Sequence, residues 1–413
     1  MSSQLIADYP QLRILFKYVL HDYLDHVSIC SILQFNTIED IDIANLLSIN
    51  LRYGGDYAFR YASEFGYLPI VKYLVENGAD IHVYNDQAFR QASENDHLSV
   101  VQYLVEQGAI IHSCNDYALR YASEHGCEDI VQYLVEKGAN IHADDNYALR
   151  HATRNGHFSI VRFLVEKSTA IIDYVYFLKL ASKGGSLSIV QYLVEKGANI
   201  HTENDRVLIL ASEAGHLPIV QYLVEKGANI HTENDLVLRV ASKAGHLHVV
   251  QYLFSKGADI HAENNHAFKL ASEAGHLPVV QYLFEKGVNI HAGEDYALII
   301  ACQRGYLNIV QYLVEKGANI HAHRDRSFTK ASKYGHFQIV QYLLEKGANI
   351  HAIDDYALRV ASYYGYLSVV KYLVENGADI HVYDDKAIKD AITRNHFHVV
   401  QYLAEKGAKF TSV

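Results

Sequence analysis

The sequence predicts an all-α repeat solenoid, and three observations carry that prediction. A motif of about thirty residues recurs from Asp56 to the C-terminus, with segments such as IVQYLVEKGANIHTEND from Ile219 and IVQYLVEKGANIHAHRD from Ile309 nearly identical. Two columns of the repeat hold 21 of the 25 glycines. Within each copy the apolar residues recur with helical period. Units begin at 56, 86, 116, 146, 175, 205, 235, 265, 295, 325, 355 and 385, so 56–413 reads as about twelve repeats, irregular near 167–175.

Each unit resolves into a helix, a turn, a second helix and a loop. In Asp56 to Asn85, Asp56 is placed to cap a first helix whose Ala58, Phe59 and Ala62 share a face, and Gly66 closes it. Leu68 and Pro69 open the second helix, where proline suits the first turn because its missing N–H has no helical partner. Ile70, Val71, Leu74 and Val75 form the buried face of that helix, Lys72 and Glu76 point outward, and Gly78 ends it. The following ANIHA-type segment reads as a short extended loop with its isoleucine turned inward. The fourth unit departs from the pattern, with Ser168 for glycine, Ile172 for histidine and one residue deleted, which predicts a local change of curvature at 168–174.

No single unit can bury its own apolar face, so stability must come from stacking, with atypical units at the ends. Residues 1–55 lack the motif and read as an atypical helical N-terminal cap. The last unit carries Asp390 and Ala404 where most units are more apolar.

The run G-H-L-x-I-V-x-x-L-x-x-x-G-A-N/D-I, as in Gly215 to Ile230, resembles the ankyrin repeat, and the resemblance covers about 56–410. It implies ankyrin-like helix-turn-helix units with short extended hairpin loops. The chain departs from the family in one respect: three residues are missing before the first helix, where Tyr57-Ala58-Phe59-Arg60 stands in place of T-P-L-H, so the cap falls to the preceding Asp. Short units with YLVEKGANIH are similar to the ankyrin-repeat proteins carried in many copies by giant amoeba-infecting (mimivirus-like) DNA viruses, which would place the protein in a host-cell interior.

Composition narrows the function classes. A net charge of -11 with interspersed Lys and Glu disfavours binding to a phosphate backbone, so no nucleic-acid partner is expected. No basic-then-apolar leader and no apolar stretch of membrane-spanning length is present, so no signal peptide, transmembrane segment or membrane partner is expected and a cytoplasmic or nuclear location is. Cys30, Cys114, Cys127 and Cys302 are scattered, which fits free buried thiols better than a disulfide or zinc framework.

The histidines form an I-H column (His82 to His381) and a G-H column (such as His216 and His276). Successive members lie a helix-packing distance of ~10 Å apart, too far to share an ion held at ~2.1 Å. Structural hydrogen bonding is the leading reading and a pH-responsive role the lesser one. No metal and no cofactor is expected. The Tyr column of the second helix (Tyr73, Tyr103, Tyr133, Tyr192, Tyr222, Tyr252) reads as packing between units. Ser, His and Asp recur in every unit, whereas a catalytic triad needs one convergent pocket, so no catalytic residue is assigned.

What varies between units is the exposed part of the first helix, to which the resemblance assigns partner binding on the concave side. On matching columns the candidates are Tyr57, Phe65, Tyr117, His125, Tyr147 and Arg154 toward the N-terminus, and Tyr296, Arg326, Tyr334, Tyr356, Tyr363 and Tyr364 toward the C-terminus. The middle is plainer, with Ala214, Ala244 and Ala274. Tyr and Arg are enriched at binding hot spots, and a solvated ridge of self-packed aromatics is the equal alternative. The leading function is a monomeric, non-enzymatic scaffold for a protein partner. An adaptor using residues 1–55 to engage ubiquitin-ligase machinery is the alternative, and an enzyme the outsider.

Overall fold

The structure is a computed structural model that describes residues 57–409 apart from residue 77. The proposed N-terminal cap at 1–55 therefore lies outside the described residues, as do Cys30 and the side chain of Tyr57. The described chain forms twenty-four helices in alternating first and second positions, with no strand among them. It divides into two compact units, Met1–Asn199 and Ile200–Val413. Within each, a second helix packs on the first helix of its own repeat and first helices pack side by side, whereas neighbouring second helices touch far less.

A regular repeat shows why these residues build this unit. In Thr232–Ala244 the side chains of Val237, Leu238 and Ala241 are buried, and in Leu247–Ser255 those of Val249, Val250 and Leu253 are. Each large aliphatic so removed from water contributes about 1.5–3 kcal/mol, and part of the surface that covers it is supplied by neighbouring repeats. Gly245 ends the first helix at φ 81, and a Cβ there would fall 2.5 Å from the His276 ring of the following repeat, so both conformation and close approach demand glycine. Gly257 has open space around it and is required only by its φ of 98.

The loop differs from the extended hairpin arm expected. After the inward isoleucine, buried at Ile200, Ile230, Ile260, Ile290, Ile320 and Ile380, the chain closes in three consecutive left-handed residues. Glu233, Asn234 and Asp235 sit at φ 47, 56 and 58. Left-handed backbone is unfavourable for L-residues and least so for Gly, Asn and Asp, the types that dominate these positions. The chain thus reverses ahead of the first helix in a compact left-handed turn.

The aspartate that closes this turn does not cap the helix as expected. Asp235 is buried, and its Oδ1 accepts from His231 Nδ1, in the preceding repeat, at 3.1 Å and from the backbone N–H of Asp259, near the end of its own repeat, at 2.9 Å. All ten I-H histidines make the first bond, from His82 to Asp86 at 3.0 Å through to His381 and Asp385 at 2.7 Å. At His142 and His261 the acceptor is Asn146 or Asn265, so the bond needs an Nδ1–H donor and does not depend on pairing with a carboxylate. The second bond recurs at Asp86, Asp116, Asp205, Asp295, Asp325 and Asp355. A buried acceptor that satisfies two donors in adjacent repeats counters the strain of the turn.

Asp173 alone, among helices with described caps, accepts from the first-turn N–H groups, at 3.1 and 3.0 Å from Val175 and Tyr176. It stands in the irregular repeat, where no histidine competes for it. Ser168 there ends the helix Phe158–Lys167 in an extended conformation (φ -70, ψ 129) instead of a left-handed glycine, and Ile171 is fully exposed.

Other columns behave as packing groups. His97, His157, His246, His336 and His396 each bond through Nε2 to a carbonyl thirty-three residues earlier, at the end of the preceding first helix. The second-helix tyrosines meet neighbouring repeats edge-on, as Tyr282 meets Phe254 at 6.1 Å and Tyr312 meets Phe284 at 6.0 Å. The lysines that end these helices lie over the same rings, as Lys226 does over Tyr222 at 5.6 Å. Cys127 and Cys302 are buried, burial first among the causes pushing the Cys127 thiol up to about 11, but Cys114 is exposed. No described helix is long and apolar enough to cross a membrane.

Candidate functional site

The surface that varies is the ridge made by the exposed side of the first helices and the left-handed turns before them. In the first compact unit it forms a lattice of tyrosine, guanidinium and carboxylate. Arg90 lies over Tyr117 at 4.8 Å and Arg120 over Tyr147 at 5.0 Å. Tyr117 stacks on Tyr121 at 3.9 Å, and Tyr147 on His151 at 3.9 Å. The Tyr117 and Tyr147 hydroxyls donate to Glu94 and Glu124 of the preceding repeats. Burial first, then those carboxylates, push both phenols well above their usual range. Burial alone would raise Glu124, but the Tyr147 hydroxyl and His151 outweigh it and hold its carboxyl below the usual value.

Of the N-terminal candidates, Tyr117 and Tyr147 are therefore half-buried members of this lattice. His125 is exposed, its Nδ1 on the Tyr121 carbonyl at 2.9 Å and its Nε2 4.0 Å from Glu94. Arg154 is exposed and lines a shallow cleft of about 220 Å³ with Arg150, His151 and Tyr176. Phe65 is exposed and stands apart from these, against Tyr61 and Tyr67.

The second unit carries a different ridge. Tyr334 and Tyr364 are exposed, with Lys333 Nζ 5.8 Å from each ring. Tyr363 meets Tyr364 edge-on at 4.9 Å and lies under Arg394 at 4.4 Å. Tyr356 is half-buried beside Arg359 at 5.2 Å. Tyr296 and Arg326 are both exposed and line one cleft of about 300 Å³ with Glu273, Arg304 and Lys330. A larger cleft of about 460 Å³ lies between the turn and helix of the repeat at 325 and the turn of the next, lined by His323, Arg324, Arg326, Lys330, Lys333, Ile353 and Tyr356 among others.

His323, Arg324, Lys330 and Ile353 were not among the sequence candidates. The signal was present: Leu180, Leu210, Val240, Leu270, Ile300 and Val360 hold the slot that is Lys330 in this repeat. His323-Arg324 likewise replaces the Glu-Asn pairs at 203, 233 and 263. A change of charge or polarity against a repeating background identifies these positions without any structure.

Among the described residues no group of three or more His, Cys, Asp or Glu side chains is placed to hold a metal ion. The family model described as ankyrin repeats (3 copies) matches in overlapping windows from residues 59–145 to 329–413. The crystal structure of the human ASB11 ankyrin repeat domain is similar at 23% identity and a TM-score of 0.43, over 49% of this chain and 99% of that one. No curated protein matches the chain. The ankyrin windows run through nearly all of the described residues, and the chain belongs to the ankyrin-repeat family.

Proposed function

We propose that this chain is a non-enzymatic scaffold that binds a protein partner along its first-helix ridge, on the concave side of the stack. Ankyrin repeats generally mediate protein–protein interaction. The observation that carries the reading is the contrast between columns: the core residues and the His–Asp pairs that staple the turns repeat almost unchanged, while the ridge side chains change from repeat to repeat. The closer packing of first helices than of second helices supports the ridge being the inner side. Of the candidates, Tyr296, Arg326, Tyr334, Tyr356, Tyr363 and Tyr364 are favoured, because the Tyr117 and Tyr147 hydroxyls are already committed to carboxylates of the same chain.

Affinity capture from the native host cell with the full chain tests this. Changing Tyr334, Tyr363 and Tyr364 together to Ala should remove the captured protein, while helical content is unchanged. Capture that survives this change and the matching Tyr117, Tyr147 and Arg154 change, but is lost on Ala244→Arg or Ala274→Arg, would move the interface to the central repeats. The adaptor reading rests on residues 1–55, outside the described residues, and a comparison of the full chain with 56–413 in the same capture addresses it.

A further inference from the structure

We infer that the cleft at the repeat beginning at 325 receives an acidic, extended peptide segment of the partner, its carboxylates on Arg324, Arg326, Lys330 and Lys333. The inference rests on the scaffold reading and supplies the chemistry of what is bound. In a chain of net charge -11, these four cations fall within ten consecutive residues whose only carboxylate, Asp325, is buried and bonded to His321 and the Asn349 N–H.

None of the four makes an ion pair or side-chain hydrogen bond among the described residues. The nearby carboxylates Glu273 and Glu294 are paired instead with Arg304 at 2.6 Å and His323 at 2.8 Å. Lys330 is half-buried, and burial first, then Lys333 and Arg326, lower its pKa; no carboxylate offsets them. Cations gathered at a cleft of about 460 Å³ and left unneutralised by their own chain are an unfinished electrostatic site.

The geometry favours a strand-like occupant. Arg326, Lys330 and Lys333 recur at i, i+4 and i+7, one helix face, and span ~10 Å at 1.5 Å per residue. That is the length of about three extended residues, so two alternate carboxylates about 6.8 Å apart can meet two of these cations. Apolar contact is available on either side. Tyr334 is 41% and Ile353 44% exposed, and Ile353 holds a left-handed φ of 53 that a β-branched residue rarely adopts. A nucleic acid fits less well, since four cations beside Glu263, Glu273 and Glu294 neutralise a short stretch of phosphates only.

The test uses the full chain and four fluorescein-labelled probes read by anisotropy. One is a dodecapeptide alternating Asp/Glu with Leu/Phe, one its Asn/Gln isostere, one its Lys counterpart and one a dT dodecamer. The acidic peptide should bind at least about 10-fold tighter than the isostere and weaken as salt is raised. R326E/K330E should remove that preference, Lys330→Arg should keep it, and Lys226→Glu with Lys256→Glu, on second helices, should leave it unchanged. Circular dichroism checks that each variant is folded. The inference is overturned if the isostere binds as well as the acidic peptide, if no peptide binds, if R326E/K330E binds unchanged, or if the dT dodecamer binds more tightly through the same cations. Any of these leaves the scaffold reading to its own capture experiment, which fails only if the ridge substitutions have no effect on a captured protein.

Discussion

The ridge of the repeats at 86 to 146 and the ridge of those at 295 to 355 are built from the same columns and similar side chains, yet they use them in opposite ways. In the first, the flagged phenols Tyr117 and Tyr147 are engaged within the chain: Arg120 reaches Asp144 at 2.8 Å and lies over Tyr147, whose hydroxyl is on Glu124 as that of Tyr117 is on Glu94. In the second, Lys330 lies over the Tyr334 ring and Lys333 over those of Tyr334 and Tyr364, and neither these lysines nor Arg326 makes an ion pair among the described residues. Tyr and Arg enrichment therefore marks a surface worth examining but does not say whether its bonding capacity is already used. The carboxylates at 94 and 124 decide it, and the repeat preceding 325 offers the uncharged Gln303 at the corresponding column instead.

Both ridges stand on the same His–Asp staple, and removing it should give the largest effect. Asp116 accepts from His112 at 2.9 Å and from the Asn140 N–H at 2.9 Å, and Asp325 accepts from His321 at 3.0 Å and the Asn349 N–H at 2.8 Å. Asp116→Ala and Asp325→Ala each leave a backbone donor and an imidazole unpaired, at a cost of about 2–4 kcal/mol. Hydrogen exchange across the repeats on either side should quicken equally in the two variants. Unequal losses would show that the scaffold, and not only its decoration, differs between the ridges.

The decoration itself separates next. Tyr147→Ala removes a hydroxyl bond, the stack on His151 and the ring under Arg120, so denaturant unfolding should report a loss of about 2 kcal/mol. Tyr364→Ala removes a ring that is 43% exposed and should cost about 0.5 kcal/mol. A Tyr364 change as damaging as the Tyr147 change would mean that the second ridge is also a packing lattice.

Lys330→Leu reverses the sign. It returns the aliphatic side chain found in this slot at Leu270 and Ile300, removes an unneutralised half-buried cation beside Lys333 and Arg326, and should raise stability by about 0.5–1 kcal/mol. A lower midpoint in urea would show that the lysine has a structural partner and is not held there for binding.

The fold was legible in the sequence because its signals are repeated: glycine spacing, second-helix periodicity and inward isoleucines each occur about ten times. The role of Asp235 and its equivalents was not, because an Asp before a helix reads as a cap, and only the three-dimensional turn shows its carboxylate swung away to His231 of the preceding repeat and the Asp259 N–H. The left-handed turn was hidden too, since Asn and Asp suit ordinary loops equally well. At the ridge the exposed residues Tyr334 and Tyr364 could be read from their column. Whether a flagged residue was spent, as Tyr117 is on Glu94, depended on contacts about twenty-three residues away in sequence. Lys330 was missed because its column was treated as core, where a lone cation is the informative exception.

The smallest effect concerns pH and belongs to the first ridge alone. Burial raises Glu124, but the Tyr147 hydroxyl, His151 at 3.2 Å and His125 bring its pKa below the ordinary 4.5. The folded state thus binds its proton less readily than the unfolded chain. The contribution is fully present above the unfolded value and is lost as pH falls through the lower folded one. Solvent around this partly exposed carboxylate keeps the effect small. Hydrogen exchange of Ser113–His125 and Ala143–Asn155, corrected for intrinsic rates, should lose protection between about pH 5 and 3, and Tyr147→Phe should flatten that loss. The helix Ala322–Lys333 has no carboxylate so held on its ridge, and acid should not selectively loosen it. A parallel loss of protection in both helices would trace the acid sensitivity to the shared His–Asp staples and remove this distinction between the two ridges.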